Sequence, residues 1–385
     1  MILDKKPADA ARPGNRPLRV ALVTEYYYPH FGGVTEHVQN LVVHLRAAGH
    51  HAIVITSHIS GHTCDMPGVY RLGRSLVLLS NGSFARFTAG LGLKGAIGRI
   101  LREERIDVVH VHGPIAPTLG LVAPDAAGEL GIPVVGTFHS WFRRSIPYGI
   151  FRAPLQERLS RYAATIAVSV PAAEAHARYF EAPWEIIPNG VDVDHFHPNG
   201  RRPPDAVQAA PRLLFLGRLD PRNGLDQVLS AMPRILDTFP RAELIVAGDG
   251  PLRPVYERQA QRLGGNVRFL GRVYEDRSAL YGSADLYLCP TNKASFGITL
   301  LEAMACGTPI IGSNISGFRE LVAGGKTLLI PPDDPAAWAR AVVHLIREPG
   351  LRAEMSAWGL EKAAGYSWND VSARVLQVYR RVARA

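Results

Sequence analysis

Paired glycines at the end of the first predicted strand could bring the main chain close to a phosphate. Gly32 and Gly33 separate the apolar run 18–24 from a helical pattern that begins near Val34. Glycine allows a close approach of backbone to ligand, and the first N–H groups of a helix have no intrahelical partner. The pair therefore predicts an anion site, with an ordinary tight turn as the alternative.

A permanently charged side chain follows the first predicted strand in the second half of the chain. Arg218 comes directly after Gly217, at the end of the run 212–217. Ligands of open α/β sheets bind beyond the carboxyl ends of the strands, and a guanidinium fork suits a diphosphate. Arg218 is therefore predicted to bind phosphate oxygens, and a surface arginine without a ligand is the alternative.

The segment 294–307, ASFGITLLEAMACG, could bind more of a nucleotide. A loop there opens a helix whose first turn is expected to contain Ser295, Phe296 and Gly297, so that unpaired N–H groups face a phosphate. Glu302 lies two turns into this pattern, where a carboxylate could accept hydrogen bonds from ribose hydroxyls. The alternative is an amphipathic helix with an exposed glutamate.

Short β-branched strands alternate with helices in both halves of the chain, and these elements must position the three candidate segments. Near-continuous apolar strands separated by helices indicate parallel sheets that are covered on both faces. The fold class is therefore predicted to be α/β, with two doubly wound Rossmann-like domains facing a central cleft. The strand candidates are residues 18–24, 52–57, 106–112, 133–138, 165–169, 212–217, 242–247, 267–273, 285–289, 308–313 and 327–330.

The domain boundaries follow from length and composition. A chain of 385 residues is long enough for about two domains. Residues 197–211 are rich in proline and polar residues and are predicted to be a linker. A helical pattern at 367–383 is expected to pack back across one of the domains, and the first domain is our prediction. The predicted units are a flexible tail at 1–17, a first domain at 18–196, a second domain at 212–366 and a C-terminal helix at 367–385.

Composition excludes several classes of protein. With 47% hydrophobic and 20% charged residues, global disorder is not expected. Three cysteines, none of them in a C-x-x-C pair, argue against a zinc ribbon and favour a reducing cytosol. The polar residues 1–17 do not resemble a secretory signal, and no run of about 18 apolar residues predicts a spanning helix. We therefore expect a cytoplasmic protein that binds peripherally at the inner face of the cell membrane.

The glycine spacing argues against a nicotinamide-dependent dehydrogenase. The loop after the first strand lacks G-x-G-x-x-G, and after Gly248 and Gly250 the third glycine position is Arg253. Arg268 stands where an NAD site needs a carboxylate for the ribose.

In their order and spacing, the three candidate segments resemble glycosyltransferase family 4, whose members are retaining nucleotide-sugar enzymes of the GT-B fold. The similarity covers roughly residues 18–380, and residues 80–144 are most similar to bacterial phosphatidylinositol mannosyltransferases. The motifs that carry it are GGVTEHVQNLVVHLRAAGH at 32–50, NGSFAR at 81–86, DVVHVHGPIAP at 107–117, GTFHSWFRRS at 136–145, PNGVDVDHF at 188–196, GRLDPRNGLD at 217–226, GDGPLR at 248–253 and SFGITLLEAMACGTPII at 295–311.

The resemblance implies a role for each matching residue. His139 and Arg218 are the implied catalytic residues, with His139 orienting the transferred sugar at the reaction centre. A second group is implied to bind the donor, and a third to contact the acceptor. The implied donor-binding residues are Gly32, Gly33, Arg218, Asn223, Val273, Ser295, Phe296, Gly297, Ile298 and Glu302, and the implied acceptor-binding residues are Thr35, Asn81 and Arg144.

The chain departs from the family pattern at two positions. Asn223 stands where the family usually has a lysine that binds the diphosphate, and Ala294 stands where it usually has a first glutamate. Arg222 and Lys293 are neighbours that could replace the charge, though not the geometry. The alternative function is therefore a non-catalytic or weakly active nucleotide-sugar-binding relative.

A retaining transfer needs positive charge on the leaving diphosphate, and Arg218 with the helix start near Ser295 is expected to supply it. The resemblance implies that the departing phosphate itself accepts the acceptor's proton. No cofactor or metal is expected to be required. Asp192 and Asp194 resemble a D-x-D metal motif, but a turn after Pro188 is the better interpretation, and His110 with His112 has no evident companion ligand. GDP-mannose is the expected donor, with a UDP-sugar as the alternative.

The expected partners are a nucleotide sugar, a sugar, polyol or lipid-linked acceptor, and an anionic membrane surface. The net charge is +9, and residues 71–105 hold seven cations and two anions. A helix predicted over 93–105 places Leu93, Ile97, Ile100 and Leu101 on one face. Its other side carries the predicted membrane patch of Lys94, Arg99, Arg102 and Arg105. An ordinary helix packed on the core is the alternative, and no nucleic-acid recognition motif is present.

Overall fold

The computed structural model describes residues 16–30, 32–59, 66–80, 83–199, 207, 209–274 and 276–384. Within them the chain forms two parallel sheets and one antiparallel hairpin. The first sheet has the order β3-β2-β1-β6-β7-β8-β9, and the hairpin is formed by β4 and β5. Their bounds are β1 Arg19–Thr24, β2 His51–Ser57, β3 Val69–Leu72, β4 Arg74–Ser80, β5 Ser83–Ala89, β6 Val108–His112, β7 Val134–Phe138, β8 Ala164–Ala167 and β9 Trp184–Ile186.

The second sheet has the order β12-β11-β10-β13-β14-β15, and every pairing in it is parallel. In both sheets the order reverses next to the first strand in sequence, β1 or β10. Such a reversal creates a crevice at the carboxyl ends of the strands. The bounds are β10 Arg212–Leu216, β11 Glu243–Ala247, β12 Val267–Gly271, β13 Leu286–Cys289, β14 Ile310–Ser313 and β15 Leu328–Ile330.

Helices connect the strands and cover both sheets. Apolar clusters on the two faces of each sheet show that the strands are buried from both sides, as their near-continuous apolar runs predict. The helices of the described residues are α1 Gly33–Ala47, α2 Leu93–Glu103, α3 Leu119–Gly128, α4 Ile146–Ile150, α5 Arg152–Leu159, α6 Val170–Ala177, α7 Leu225–Thr238, α8 Arg253–Ala260, α9 Arg277–Ser283, α10 Ile298–Ala305, α11 Ser316–Leu321, α12 Pro335–Arg347, α13 Pro349–Ala364 and α14 Trp368–Val382.

The two-sheet α/β architecture is confirmed, and each predicted strand is present within a few residues of its expected bounds. Four strands were not predicted: β3, β9 and the hairpin strands β4 and β5. The residues of β3 and β9 are half-buried, so their apolar pattern is weak. The predicted helix α2 is also present, and Leu93, Ile97, Ile100 and Leu101 all lie on its buried face.

The C-terminal helix returns to the first sheet, as predicted. Trp368, Val371, Val375 and Tyr379 are buried in one cluster with residues of β1, β6 and α1. The linker prediction at 197–211 falls mostly outside the described residues, so the domain boundaries stay a prediction. Among the described helices, none combines the length and the apolar character that a membrane crossing requires.

Candidate active site

A cavity of about 740 Å³ lies between the carboxyl ends of the two sheets. Its volume is that of a small-molecule site. Six of the predicted donor-binding residues line it: Gly32, Gly33, Arg218, Asn223, Val273 and Ile298. The predicted residues Ser295, Phe296, Gly297, Glu302, His139, Thr35 and Arg144 are not among its lining residues, and Asn81 lies outside the described residues.

Gly33 begins α1 and faces the second sheet across the cavity. A Cβ atom built on Gly33 would lie 4.0 Å from Cγ2 of Ile298, the first residue of α10. A larger side chain at position 33 would therefore occupy the space between the two helix starts. The absence of a side chain keeps this space open, and the anion site at the glycine pair stays a prediction.

The loop after β10 places Arg218 at the cavity wall. Nε of Arg218 lies 3.6 Å from Oδ2 of Asp220, and the amide of Asn223 donates to the Arg218 carbonyl at 2.8 Å. Asn223 thus holds the loop in place through a neutral hydrogen bond, where the family's lysine would add a charge. Arg222 does not replace that charge in the cavity, because its Nε donates to the Lys293 carbonyl at 2.6 Å.

Other cations of the cavity come from residues that the sequence analysis did not select. Arg86, on the hairpin strand β5, lines the cavity together with Arg272 and Arg277. Nε of Arg86 donates to Nδ1 of His30 at 3.3 Å. Burial first, and then the charges of Arg86 and Arg218, lower the pKa of His30 to about 4. Arg86 belongs to the strongly basic segment 71–105, and this charge was the sequence signal that pointed to a cation in the cavity.

The loop 294–297 precedes α10 and does not form its first turn, because the helix begins at Ile298. Gly297 has φ +99°, and a Cβ there would meet the ring of Phe318 at 2.8 Å. The Ser295 hydroxyl donates to the His139 carbonyl at 2.5 Å, and the Ser169 hydroxyl donates to the Ser295 carbonyl at 2.6 Å. This loop is therefore bound to the first sheet's side of the cleft.

The amphipathic-helix alternative requires an exposed Glu302, but this residue is only 2% accessible. Its Oε1 lies 2.9 Å from Nη1 of Arg277, and its Oε2 accepts from the hydroxyl of Tyr281 at 3.0 Å. Nη1 of Arg277 also lies 3.1 Å from Oε1 of Glu36, in the first turn of α1. Burial raises the pKa of Glu302 although Arg277 opposes the shift. Arg277 thus connects Glu302, the residue predicted to bind the ribose, to Glu36 on the opposite side of the cleft.

Histidines form a buried group beneath the loop that holds Ser295. Nε2 of His139 and Nδ1 of His112 lie 3.0 Å apart, and the ring of His37 packs against both. The ring of His110 lies against that of His112 at a tilt of 37°, and His110 forms hydrogen bonds with Tyr379 of α14 and with Thr137. Burial lowers the pKa of all four rings. The sequence analysis found no companion for His112, because His37 and His139 are far from it in sequence.

The structure describes two of the three predicted acceptor contacts, Thr35 and Arg144. The Thr35 hydroxyl is buried and donates to the His30 carbonyl at 2.8 Å, whereas Arg144 is exposed. The four basic residues of the predicted patch are exposed, and Lys94 pairs with Glu129. Three of them lie on α2, whereas Arg105 follows the end of this helix at Glu103. Asp192 accepts from the N–H groups of Asp194 and His195, which is the predicted turn.

Comparisons with known proteins cover both halves of the chain. Residues 31–195 match the family model described as Glycosyltransferase Family 4, and residues 210–348 match Glycosyl transferases group 1. The phosphatidyl-myo-inositol mannosyltransferase of Mycolicibacterium smegmatis is 34% identical over 96% of this chain and 95% of its own. The D-inositol 3-phosphate glycosyltransferase of Streptosporangium roseum is 30% identical over 74% and 73%. The structure of Anabaena HepE in complex with UDP matches with a TM-score of 0.73 and 18% identity over 94% and 99%.

Proposed function

Because this chain belongs to glycosyltransferase family 4 and is a glycosyltransferase of the GT-B fold, we propose that it moves a mannosyl group from GDP-mannose to an inositol-bearing phospholipid head group. The transfer retains the anomeric configuration and requires no metal. The observation that carries the proposal is the cavity between the two sheets, which has Gly33 on one wall and Arg218 on the other. The similarity to the mycobacterial mannosyltransferase supports the choice of mannose and of the acceptor.

The donor diphosphate binds between Arg218 and the N-terminus of α10. Arg218 supplies a fixed positive charge, and Ile298 is the first of the residues whose N–H groups have no intrahelical partner. Val273 lies beside the nucleobase and Glu302 binds the ribose, in exchange for part of its contact with Arg277. Val273 and Arg277 line the cavity, and Glu302, which does not, contacts the ligand only after part of its pairing with Arg277 is released.

The phosphate of the acceptor binds on the side of the first sheet. Arg86 is a cation of the cavity that comes from this side, and burial first, and then the charge of Arg218, lower its pKa. A lipid phosphate neutralises Arg86 while the donor diphosphate neutralises Arg218. The cavity still carries several positive charges, although Asn223 and Ala294 stand where the family usually has a lysine and a glutamate. This charge disfavours the non-catalytic alternative.

The chemical step breaks the bond between the anomeric carbon and the donor phosphate oxygen and forms a bond to the acceptor hydroxyl. Positive charge at Arg218 and the dipole of α10 stabilise the leaving diphosphate. The departing phosphate oxygen accepts the proton of the acceptor hydroxyl. His139, held by its contact with His112, orients the sugar during this exchange.

A donor and acceptor panel tests the function. The purified full chain is assayed by thermal shift with GDP-mannose, UDP-glucose and ADP-glucose, and by turnover with phosphatidylinositol vesicles, free inositol phosphate or no acceptor. GDP-mannose should give the largest stabilisation and transfer to the vesicles. The product should keep the donor's anomeric configuration by NMR, and EDTA should leave the rate unchanged. If no nucleotide sugar raises the melting temperature or turns over, the proposal is wrong.

The exposed basic face of α2 binds the anionic surface in which the acceptor lies. Each cation near such a surface is worth about 1 kcal/mol. Reversing the charges of Arg99 and Arg102 to glutamate should therefore lower binding to vesicles that contain phosphatidylinositol by at least about tenfold. The matched control reverses Arg258 and Arg262, two exposed arginines of the second half of the chain. Equal binding of both double variants in vesicle sedimentation would exclude the patch as the contact.

A further inference from the structure

We propose that His37, His112 and His139 form a binding site for a transition-metal dication of the Zn²⁺ type, and that occupation of this site inhibits transfer. The site goes beyond the proposed function, which requires no metal. The inhibitory effect rests on the proposed role of His139, but metal binding itself does not.

The three rings bring their nitrogens together in a small volume. One nitrogen from each ring can be chosen so that all three lie within 4.8 Å of one another. In a tetrahedral site with metal–nitrogen distances of about 2.0–2.1 Å, ligand nitrogens lie roughly 3.3 Å apart. Nδ1 of His112 and Nε2 of His139 already approach to 3.0 Å. Binding requires the third nitrogen, from His37, to move from within 4.8 Å of the others to this shorter spacing.

His37 is already held as a metal ligand would be. Its Nδ1 lies 2.8 Å from Oδ1 of Asn189, an oxygen that can only accept, so Nδ1 carries the proton. In the neutral ring the lone pair is then on Nε2. That atom is buried and has no hydrogen-bond partner among the described residues. Ligating histidines commonly use one nitrogen for such a hydrogen bond and the other for the metal.

His112 contributes its Nδ1, the nitrogen that lies 3.0 Å from Nε2 of His139. A bound cation accepts the lone pairs of both nitrogens at once. The third lone pair is on the buried Nε2 of His37, and a buried polar atom without a partner costs about 1–3 kcal/mol. His110 is adjacent but is not a ligand, since Tyr379 and Thr137 use both of its nitrogens.

The chemistry of the donor set selects the metal. Imidazole nitrogens suit Zn²⁺, Co²⁺, Ni²⁺ and Cu²⁺, whereas Mg²⁺ and Ca²⁺ prefer oxygen ligands. The group contains no carboxylate. Burial also keeps the rings in the neutral form that binds metals, because it lowers the pKa of each. His139 is the least buried of the three, so the ion reaches the site from its side and immobilises the ring that orients the sugar.

Cobalt binding tests the site without any assay of activity. The full chain is stripped with a chelator, dialysed and titrated with Co²⁺, and the visible absorption of a tetrahedral complex is recorded. We expect saturation at one ion per chain, displacement by Zn²⁺ and no displacement by excess Mg²⁺. The His37→Asn variant should bind at least about tenfold more weakly. The matched control is His176→Asn, which removes a different buried histidine of the same sheet region. Equal binding by the two variants, or no stoichiometric complex with the wild type, would overturn the proposal.

A second measurement needs no variant, in case His37→Asn does not fold. Zn²⁺ should raise the melting temperature of the wild type in a saturable way, and Mg²⁺ should not; the opposite pattern contradicts the site. The inhibitory effect is tested by measuring the rate of sugar transfer with and without Zn²⁺. We expect Zn²⁺ to lower this rate and EDTA to restore it. A chain that binds Co²⁺ but transfers no sugar would contradict the proposed function and leave the metal site standing. Full activity with Zn²⁺ bound would overturn the inhibitory effect.

Discussion

Replacing Arg218 by alanine should lower kcat/KM for the donor by about 10²–10³-fold, the effect of removing one group that stabilises charge in a transition state. Arg218 lines the cavity at the end of β10, where its charge faces the place of the leaving diphosphate. Because negative charge on the leaving oxygens grows during the reaction, the loss should appear in kcat as well as in KM. Steady-state kinetics with varied GDP-mannose at saturating acceptor measure both.

The matched control for this variant is Arg268→Ala. Arg268 is 57% exposed, lies on β12 and pairs with Glu243 at 3.3 Å, away from the cavity. It removes the same charge from the same half of the chain, so kcat/KM should stay within a factor of two. A similar loss in the two variants would mean that net charge, and not the position of Arg218, supports the reaction.

Arg277→Met should destabilise the protein by about 3–5 kcal/mol, the usual cost of breaking a buried ion pair. Without its guanidinium, Glu302 is left 2% exposed with Tyr281 as its remaining side-chain partner. Glu36 loses the same partner, although it is more exposed and can be hydrated. The midpoint and slope of urea unfolding, followed by circular dichroism and by intrinsic fluorescence, measure the change.

The double variant Arg277→Met, Glu302→Gln decides whether the buried charge is the cause. It should recover most of the lost stability, because no uncompensated carboxylate remains. Arg340→Met serves as the control, since this exposed arginine pairs with Asp334 at only 3.9 Å and surface pairs contribute at most about 1 kcal/mol. If the double variant is as unstable as Arg277→Met, the arginine acts through packing and not through its charge.

The fold was predictable because its signals are local. The strands predicted at 18–24 and 212–217 are buried on both faces, so they are apolar along most of their length and stand out in the sequence. The spacing of Leu93, Ile97 and Leu101 likewise identifies the buried face of α2 from one segment alone. The hairpin β4–β5 was missed because its residues do not alternate clearly between apolar and polar types.

The site was predictable only where one segment carries the whole signal. Gly33 begins the helix that follows β1, Arg218 follows β10, and the structure places both at the cavity. The pairing of Arg277 with Glu36 and the grouping of His37 with His112 join residues far apart in the chain. No periodicity records such contacts, because they exist only after the two sheets have packed. The same reason hides the role of Arg86, which depends on where the hairpin lies.

Because α14 packs on the first sheet, the core of that sheet depends on residues that come after the second sheet in the sequence. Trp368, Val371 and Val375 are buried in one cluster with residues of β1 and α1, although they follow both sheets in the sequence. The core of the first sheet is therefore incomplete until the segment that forms α14 has packed against it. Such distant contacts slow folding and prolong the exposure of apolar surface. Among the described residues, the clusters of the second sheet contain no residue of α14, so a chain that stops before this helix leaves the core of its beginning, and not of its end, unfinished.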